Sequence, residues 1–137
     1  MSQTVSHHEA LIYVMVTISA VDRTMTDLEL LRIGDIVQTT PVFRDFESEQ
    51  LVRVSEECGA KLQNEQGLTD VLQIVADSLP PKLYETAYAL AVDVAAADLH
   101  VEQEELRFLQ MLRDRLDLTK LSIAAIEHGA RVRHRTA

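Results

Sequence analysis

Residues 20–31 read AVDRTMTDLELL, and residues 96–107 read AADLHVEQEELR. When the two stretches are aligned, Asp98 lies 76 positions after Asp22. In each copy, an apolar segment ends near the Asp and a second amphipathic segment begins a few residues later, which predicts two helices joined by a short connection. A pattern that returns at a fixed offset is typical of a chain built from repeated helical units.

Apolar residues spaced at the period of a helix extend through the whole chain. This spacing predicts an all-α fold of about seven helices with no strand. The predicted helices cover about residues 6–21, 26–39, 48–62, 68–79, 82–97, 101–116 and 119–132. The first and fifth are apolar around most of their circumference, which predicts two central, buried helices. We expect the small residues Ala91 and Ala95 to let another helix pack closely on the fifth.

The repeat extends beyond the two quoted stretches. The offset of 76 also pairs Leu30 with Leu106, and an offset of 70 pairs ECGAKL at residues 57–62 with EHGARV at residues 127–132. We therefore predict a single domain over residues 1–137, with two pseudo-symmetric three-helix units. The units cover about residues 6–62 and 82–132, and the fourth helix links them.

The composition excludes several classes of function. A formal net charge of −9 repels phosphate backbones, so we expect no nucleic-acid binding. The single Cys58 suits a reducing compartment, so cytoplasm is the expected location. No apolar run is long enough for membrane insertion. Because nucleophile-elbow, P-loop and dinucleotide motifs are absent, we expect no enzyme, no catalytic residues and no organic cofactor.

Four carboxylates of the repeat are candidate metal ligands: Asp22 and Glu29 in the first unit, Asp98 and Glu105 in the second. An Asp at a helix C-terminus faces the negative end of the helix dipole, and a bound cation would reverse that unfavourable interaction. Carboxylate and carbonyl oxygens suit Ca²⁺ or Mg²⁺. The alternative is purely structural: each Asp forms a local turn, and Glu29 closes a capping box on Thr26.

The paired pattern of an apolar helix end, Asp, a hydrophobic residue three positions later and then Glu resembles the TerB-like tellurite-resistance family. The resemblance covers about residues 6–132. It implies an all-helical domain of two repeats that acts in a stress response, without enzymatic activity, with acidic clusters for divalent cations. Other stress-response proteins are the implied partners. Where the family commonly has a glycine after the Asp, this sequence has Arg23 and Leu99.

Two functions remain open at this stage. One is a cation-binding domain, and the other is a protein–protein interaction scaffold without a metal site. The five histidines lack partners at metal-ligand spacing, so we expect them to be solvated or to cap helices, with His7 and His8 in a mobile end. Cys58 falls on the apolar side of its helix and is expected to pack as a small hydrophobic residue. Oligomeric state does not follow from the sequence.

Overall fold

A computed structural model describes residues 3–21, 25–97 and 103–137. Within these residues the chain forms seven α-helices and no strand, which confirms the predicted all-α fold. The helices are α1 (His7–Ala20), α2 (Asp27–Thr39), α3 (Leu51–Leu62), α4 (Gly67–Ser78), α5 (Tyr84–Ala97), α6 (Gln103–Arg115) and α7 (Lys120–Arg133). Short 3₁₀ turns occur at Pro41–Phe43, Ser48–Gln50 and Pro81–Leu83.

The N-termini of three helices are fixed by local side-chain caps. At α1, Ser6 and Glu9 form a reciprocal capping box, and at α2, Thr26 and Glu29 form a second one. At α7, the Thr119 hydroxyl accepts a hydrogen bond from the Ser122 amide. Each cap satisfies amide groups that the first turn of a helix leaves without partners. These local bonds explain why the predicted helix starts agree closely with the observed ones.

Helices α1 and α5 occupy the centre of the molecule, as the sequence predicted. Every residue from Ala10 to Ser19 of α1 is buried. Helix α1 packs most extensively on α3 and α5, while α5 packs also on α7 and α6. Ala91 and Ala95 of α5 are both buried in these contacts. A helix that is apolar all round is stable only when other helices surround it.

Helix α4 connects the two halves and packs on α1 and α3. Its first residue, Gly67, lies directly against the end of α3. A Cβ at this position would overlap the carbonyl oxygen of Lys61 and lie 2.8 Å from Leu62 Cα, so only glycine fits this close approach. No described helix is long and apolar enough to cross a bilayer.

The second and third helices of each half make at most marginal contact with each other. Among the described residues, α2 packs on α1 but hardly on α3, and α6 packs on α5 but hardly on α7. In each half the central helix therefore forms the floor of a gap between the other two. The proposed pseudo-symmetry of the units stays a prediction, because Asp22 and Asp98, whose overlay would test it, lie outside the described residues.

Candidate functional site

The predicted cation site of the first unit depends on Asp22 and Glu29. Asp22 lies outside the described residues. Glu29 is the third residue of α2, where its Oε1 accepts a hydrogen bond from the Thr26 amide at 2.8 Å. The Thr26 hydroxyl in turn accepts a bond from the Glu29 amide at 3.2 Å. The capping role that was the structural alternative for Glu29 is thus confirmed.

The second predicted site depends on Asp98 and Glu105, and Asp98 also lies outside the described residues. Glu105 is in the first turn of α6 and is only 6% exposed. No other described Asp, Glu, Lys or Arg is buried to this degree. The N-terminal end of the helix dipole favours a carboxylate at this position.

Other acidic residues could complete a cation site only if they were close together. In the parts of the chain that the structure describes, no three or more His, Cys, Asp or Glu side chains are arranged to hold a metal ion. Glu9 is engaged with the Ser6 amide at 3.1 Å and with Arg53 at 3.4 Å. The cation site therefore stays a prediction that depends on Asp22 and Asp98.

A cleft lies between α1, α2 and α3, and we call it the first cleft. It has a volume of about 600 Å³. Its lining is mainly apolar and comprises Val16, Ala20, Met25, Leu30, Val52, Ser55, Glu56, Gly59, Ala60, Leu62 and Gln63. A cleft of this size with few polar groups is typical of a binding site. No sequence pattern predicted this cleft, because its position depends on how three helices pack.

The surroundings of the first cleft are unusual for a protein surface. Val52, which lines it, is 52% exposed. Ser55 is buried and lines the cleft, and its Oγ has no hydrogen-bond partner among the described residues. Contiguous exposed apolar surface marks interaction sites, and Val52 adds to the apolar lining of the cleft.

A second cleft of about 510 Å³ lies between α5, α6 and α7. It is lined by Val92, Ala95, Ala96, Leu106, Leu109, Gln110, Arg113, Glu127, Ala130 and Arg131. Four of these residues lie at the repeat offsets from residues of the first cleft: Val16 and Val92, Ala20 and Ala96, Leu30 and Leu106, Ala60 and Ala130. The two clefts therefore share four pairs of lining residues at the predicted repeat offsets.

A polar triad lies at the edge of the second cleft and joins three helices. The buried Tyr88 of α5 donates a hydrogen bond to Glu127 Oε2 of α7 at 2.5 Å. Arg113 of α6 donates to the same carboxylate oxygen at 3.3 Å and to the Tyr88 hydroxyl at 3.4 Å. Burial, together with the Glu127 hydrogen bond, raises the pKa of Tyr88 to about 12. The tyrosine therefore stays protonated and acts as a donor.

Cys58 and His8 differ in how well the sequence predicted them. Cys58 is fully buried as predicted, and burial raises the pKa of its thiol to about 11, which disfavours the reactive thiolate. The expectation that His8 is solvated or lies in a mobile end was wrong. It is in the first turn of α1, 3.0 Å from the carbonyl oxygen of Val42, and packs against Phe43 and Phe46.

The sequence is similar to a known protein family. The family model described as "Tellurite resistance protein TerB" matches residues 8–128, nearly the whole chain. No curated protein and no solved structure gives a significant match.

Proposed function

Because this chain belongs to the TerB family of tellurite resistance proteins, we propose that it is a non-enzymatic interaction domain of a tellurite-resistance or stress-response system. In this proposal the first cleft binds an amphipathic helix of a partner protein. The observation that carries the proposal is the open, apolar gap between α2 and α3. Its floor is helix α1, and the exposed aliphatic side chain of Val52 lies in its lining.

A helix is the partner segment that fits this gap best. An amphipathic helix buries its apolar face in a groove while its own backbone hydrogen bonds stay satisfied. The groove already lies between two helices that hardly touch each other, so a third helix would complete the packing on α1. Leu30 and Val52 of the lining would then lose exposed surface, and an aliphatic side chain contributes about 1.5–3 kcal/mol when fully removed from water.

The charges beside the first cleft indicate the polar face of the partner. Helices α2 and α3 with the turn before α3 carry six acidic and three basic residues: Asp27, Glu29, Asp35, Glu49, Glu56 and Glu57 against Arg32, Arg53 and Lys61. Glu56 itself lines the cleft. Charge complementarity increases association rates and excludes partners of like charge. We therefore propose a partner helix whose polar face is basic.

The test uses a defined probe, a fluorescent peptide of leucine and lysine that forms a basic amphipathic helix. Binding is measured by fluorescence anisotropy to the wild type and to the double variant Leu30→Gln with Val52→Gln, because both residues line the cleft. We expect the double variant to bind at least about tenfold more weakly, because two apolar contacts are lost. The matched control is Leu121→Gln, since Leu121 is 81% exposed and lines neither cleft.

Three outcomes would overturn this proposal. The first is no binding by the wild type, and the second is equal loss of affinity in the Leu121→Gln control. The third is equal binding of a leucine–glutamate peptide with the same apolar face, which would eliminate the role of charge.

A second candidate function is binding of a hard divalent cation such as Ca²⁺ or Mg²⁺. The observation that favours it is the burial of Glu105 in the first turn of α6, where the sequence places Asp98 shortly before. A buried carboxylate is stable when positive charge or several donors compensate it. The proposal is that a cation bound near Asp98 and Glu105, and more weakly near Asp22 and Glu29, supplies part of this compensation.

Calorimetric titration with Ca²⁺, Mg²⁺ and Mn²⁺ tests the cation proposal. We expect the wild type to bind and to be stabilised by the bound ion, and the variant Asp98→Asn with Glu105→Gln to lose that binding. The corresponding change in the first unit, Asp22→Asn with Glu29→Gln, should have a smaller effect. Equal binding by wild type and variant, or no binding by either, would leave the interaction domain as the surviving proposal.

A further inference from the structure

We propose that the second cleft binds a free aliphatic carboxylate, a molecule with a medium-length alkyl chain and a single anionic head group. This site is separate from the first cleft, so the inference goes beyond the proposed interaction with a helix. Its basis is the combination of an apolar floor with two guanidinium groups in the lining, in a protein that is otherwise strongly acidic.

The floor and walls of the second cleft provide the site for the alkyl chain. Side chains of α5 and α6 form this surface, among them Val92, Ala96, Leu106 and Leu109. Leu106 is 52% exposed although it lies in the lining. A volume of about 510 Å³ is within the range of small-molecule sites and suits a chain of moderate length. An alkyl chain that covers Leu106 would remove apolar surface of both molecules from water.

The head group would be held by Arg131 and Arg113. Arg131 lines the cleft from α7, is exposed, and has no ion pair or side-chain hydrogen bond with any described residue. Arg113 uses Nη1 for both of its bonds, to Tyr88 and Glu127. Its Nη2 and Nε groups make no hydrogen bond within the described part of the chain. A guanidinium group binds a carboxylate through two parallel N–H groups, which suits this head group.

The charge of the cleft lining favours an anion there. Among the described lining residues, Arg113 and Arg131 carry two positive charges and Glu127 carries one negative charge. The Glu127 carboxylate is already bonded to Tyr88 and Arg113. The net charge of −9 on the whole chain repels an anionic ligand at long range. At physiological ionic strength, interactions beyond about 8 Å are largely screened, so the nearby guanidinium groups dominate. We expect a modest affinity with a clear preference for the anionic head group.

The experiment compares three ligands with the same ten-carbon chain: decanoate, decanol and decylammonium, each below its aggregation concentration. Binding to the full chain is measured by calorimetry and by NMR shifts of α5 to α7. We expect decanoate to bind about threefold to tenfold more tightly than decanol, and decylammonium to bind most weakly. If decanol binds as tightly as decanoate, or if decanoate does not bind, the proposal is wrong.

Two variants on α7 separate the guanidinium contact from a general change of charge. Arg131→Gln should reduce decanoate affinity to about that of decanol while decanol binding stays unchanged. Arg133→Gln removes the same charge two residues later. Arg133 pairs with Asp93 at 2.6 Å and does not line the cleft. This variant should therefore bind decanoate as tightly as the wild type does. Equal effects of the two variants would overturn the assignment.

A third variant tests the location of the alkyl chain. Because Leu106 is half exposed, the Leu106→Gln variant should fold normally. It should bind both decanoate and decanol several-fold more weakly than the wild type does. A similar change in the first cleft, Val52→Gln, should leave both affinities unchanged. If Val52→Gln weakens decanoate while Leu106→Gln does not, the ligand lies in the first cleft and the inference is wrong.

Discussion

The two clefts have equivalent apolar linings and different polar residues. The central helix of each half provides a Val and an Ala four residues apart, Val16 and Ala20 in the first cleft and Val92 and Ala96 in the second. The charged residue in the first lining is Glu56, at whose repeat position the second half has the apolar Ile126. The comparison shows that the floors of the two clefts share residue types at the predicted repeat offsets, while the charged residues around them differ.

The pair Glu57 and Glu127 illustrates the same divergence, because the two residues lie at the same repeat position. Glu57 pairs with Arg53 one turn earlier on its own helix, at 2.8 Å. Glu127 instead bonds to Tyr88 and Arg113 on two other helices. Glu57 therefore pairs within its own helix, whereas Glu127 joins three helices.

The largest expected difference concerns the two central helices. Met15 and Ala91 are fully buried and lie at the same repeat position on α1 and α5. Met15→Ala should leave a cavity and lower the free energy of unfolding by about 2–5 kcal/mol. Ala91→Leu should overpack the contacts of α5 and cost about 1–3 kcal/mol. Urea denaturation measures both values, and an unchanged midpoint for either variant would contradict the packing described above.

The comparison of the two glutamates predicts the next largest effect. Glu127→Gln should lower the free energy of unfolding by about 1–2 kcal/mol, because it removes a charged acceptor from Tyr88 and Arg113. Glu57→Gln should cost less than about 0.5 kcal/mol, since its ion pair is exposed. Thermal or urea unfolding of both variants provides the measurement. Equal losses would mean that the triad contributes no more than a surface ion pair.

A smaller effect of opposite sign is expected at Ser55. The second half has Ala125 at the corresponding position, and the Ser55 Oγ is buried without a hydrogen-bond partner among the described residues. Ser55→Ala should raise the free energy of unfolding by about 1 kcal/mol, because an unsatisfied hydroxyl group is removed. The control Ser122→Ala removes a hydroxyl that is bonded to Thr119 and should not stabilise the protein. Destabilisation by Ser55→Ala would show that this hydroxyl has a partner.

The smallest expected effect is on the pH dependence of the free energy of unfolding, and it involves Glu9 in the first turn of α1. Burial opposes ionisation of Glu9, but hydrogen bonds with Ser6 and the charge of Arg53 outweigh it and lower the pKa below the ordinary value of 4.5. A lowered folded pKa stabilises the protein above about pH 4.5, and this stabilisation is lost as the pH falls through the folded value. Glu9→Gln should therefore reduce the acid-induced loss of stability by less than about 1 kcal/mol.

The control for this prediction is Glu85→Gln, at the corresponding position in α5. Glu85 is exposed and makes no side-chain hydrogen bond with the described residues. The variant removes the same charge and should leave the free energy of unfolding at pH 7 unchanged. If the free energy of unfolding falls equally with pH in the wild type and in Glu9→Gln, the assigned role of Glu9 is wrong.

The helices and the central position of α1 and α5 could be predicted because their signals are local. Thr26 and Glu29 show the capping pattern three residues apart, and the structure has that box. Ser6 and Glu9 show the same pattern, which the sequence analysis did not identify as a box. His8 was mispredicted because its contacts are with Val42 and Phe43, more than thirty residues away.

The sequence determined the helices, their caps, the buried faces and the repeated positions, because these depend on neighbouring residues and on the period of apolar side chains. Only the tertiary structure decided that α2 stands apart from α3 and α6 from α7, since gaps between helices depend on how all the helices pack on α1 and α5. It also decided that Glu127 meets Tyr88 and Arg113 while Glu57 meets Arg53. A side chain at a repeated position bonds to whatever lies opposite it, and no sequence period encodes that neighbour.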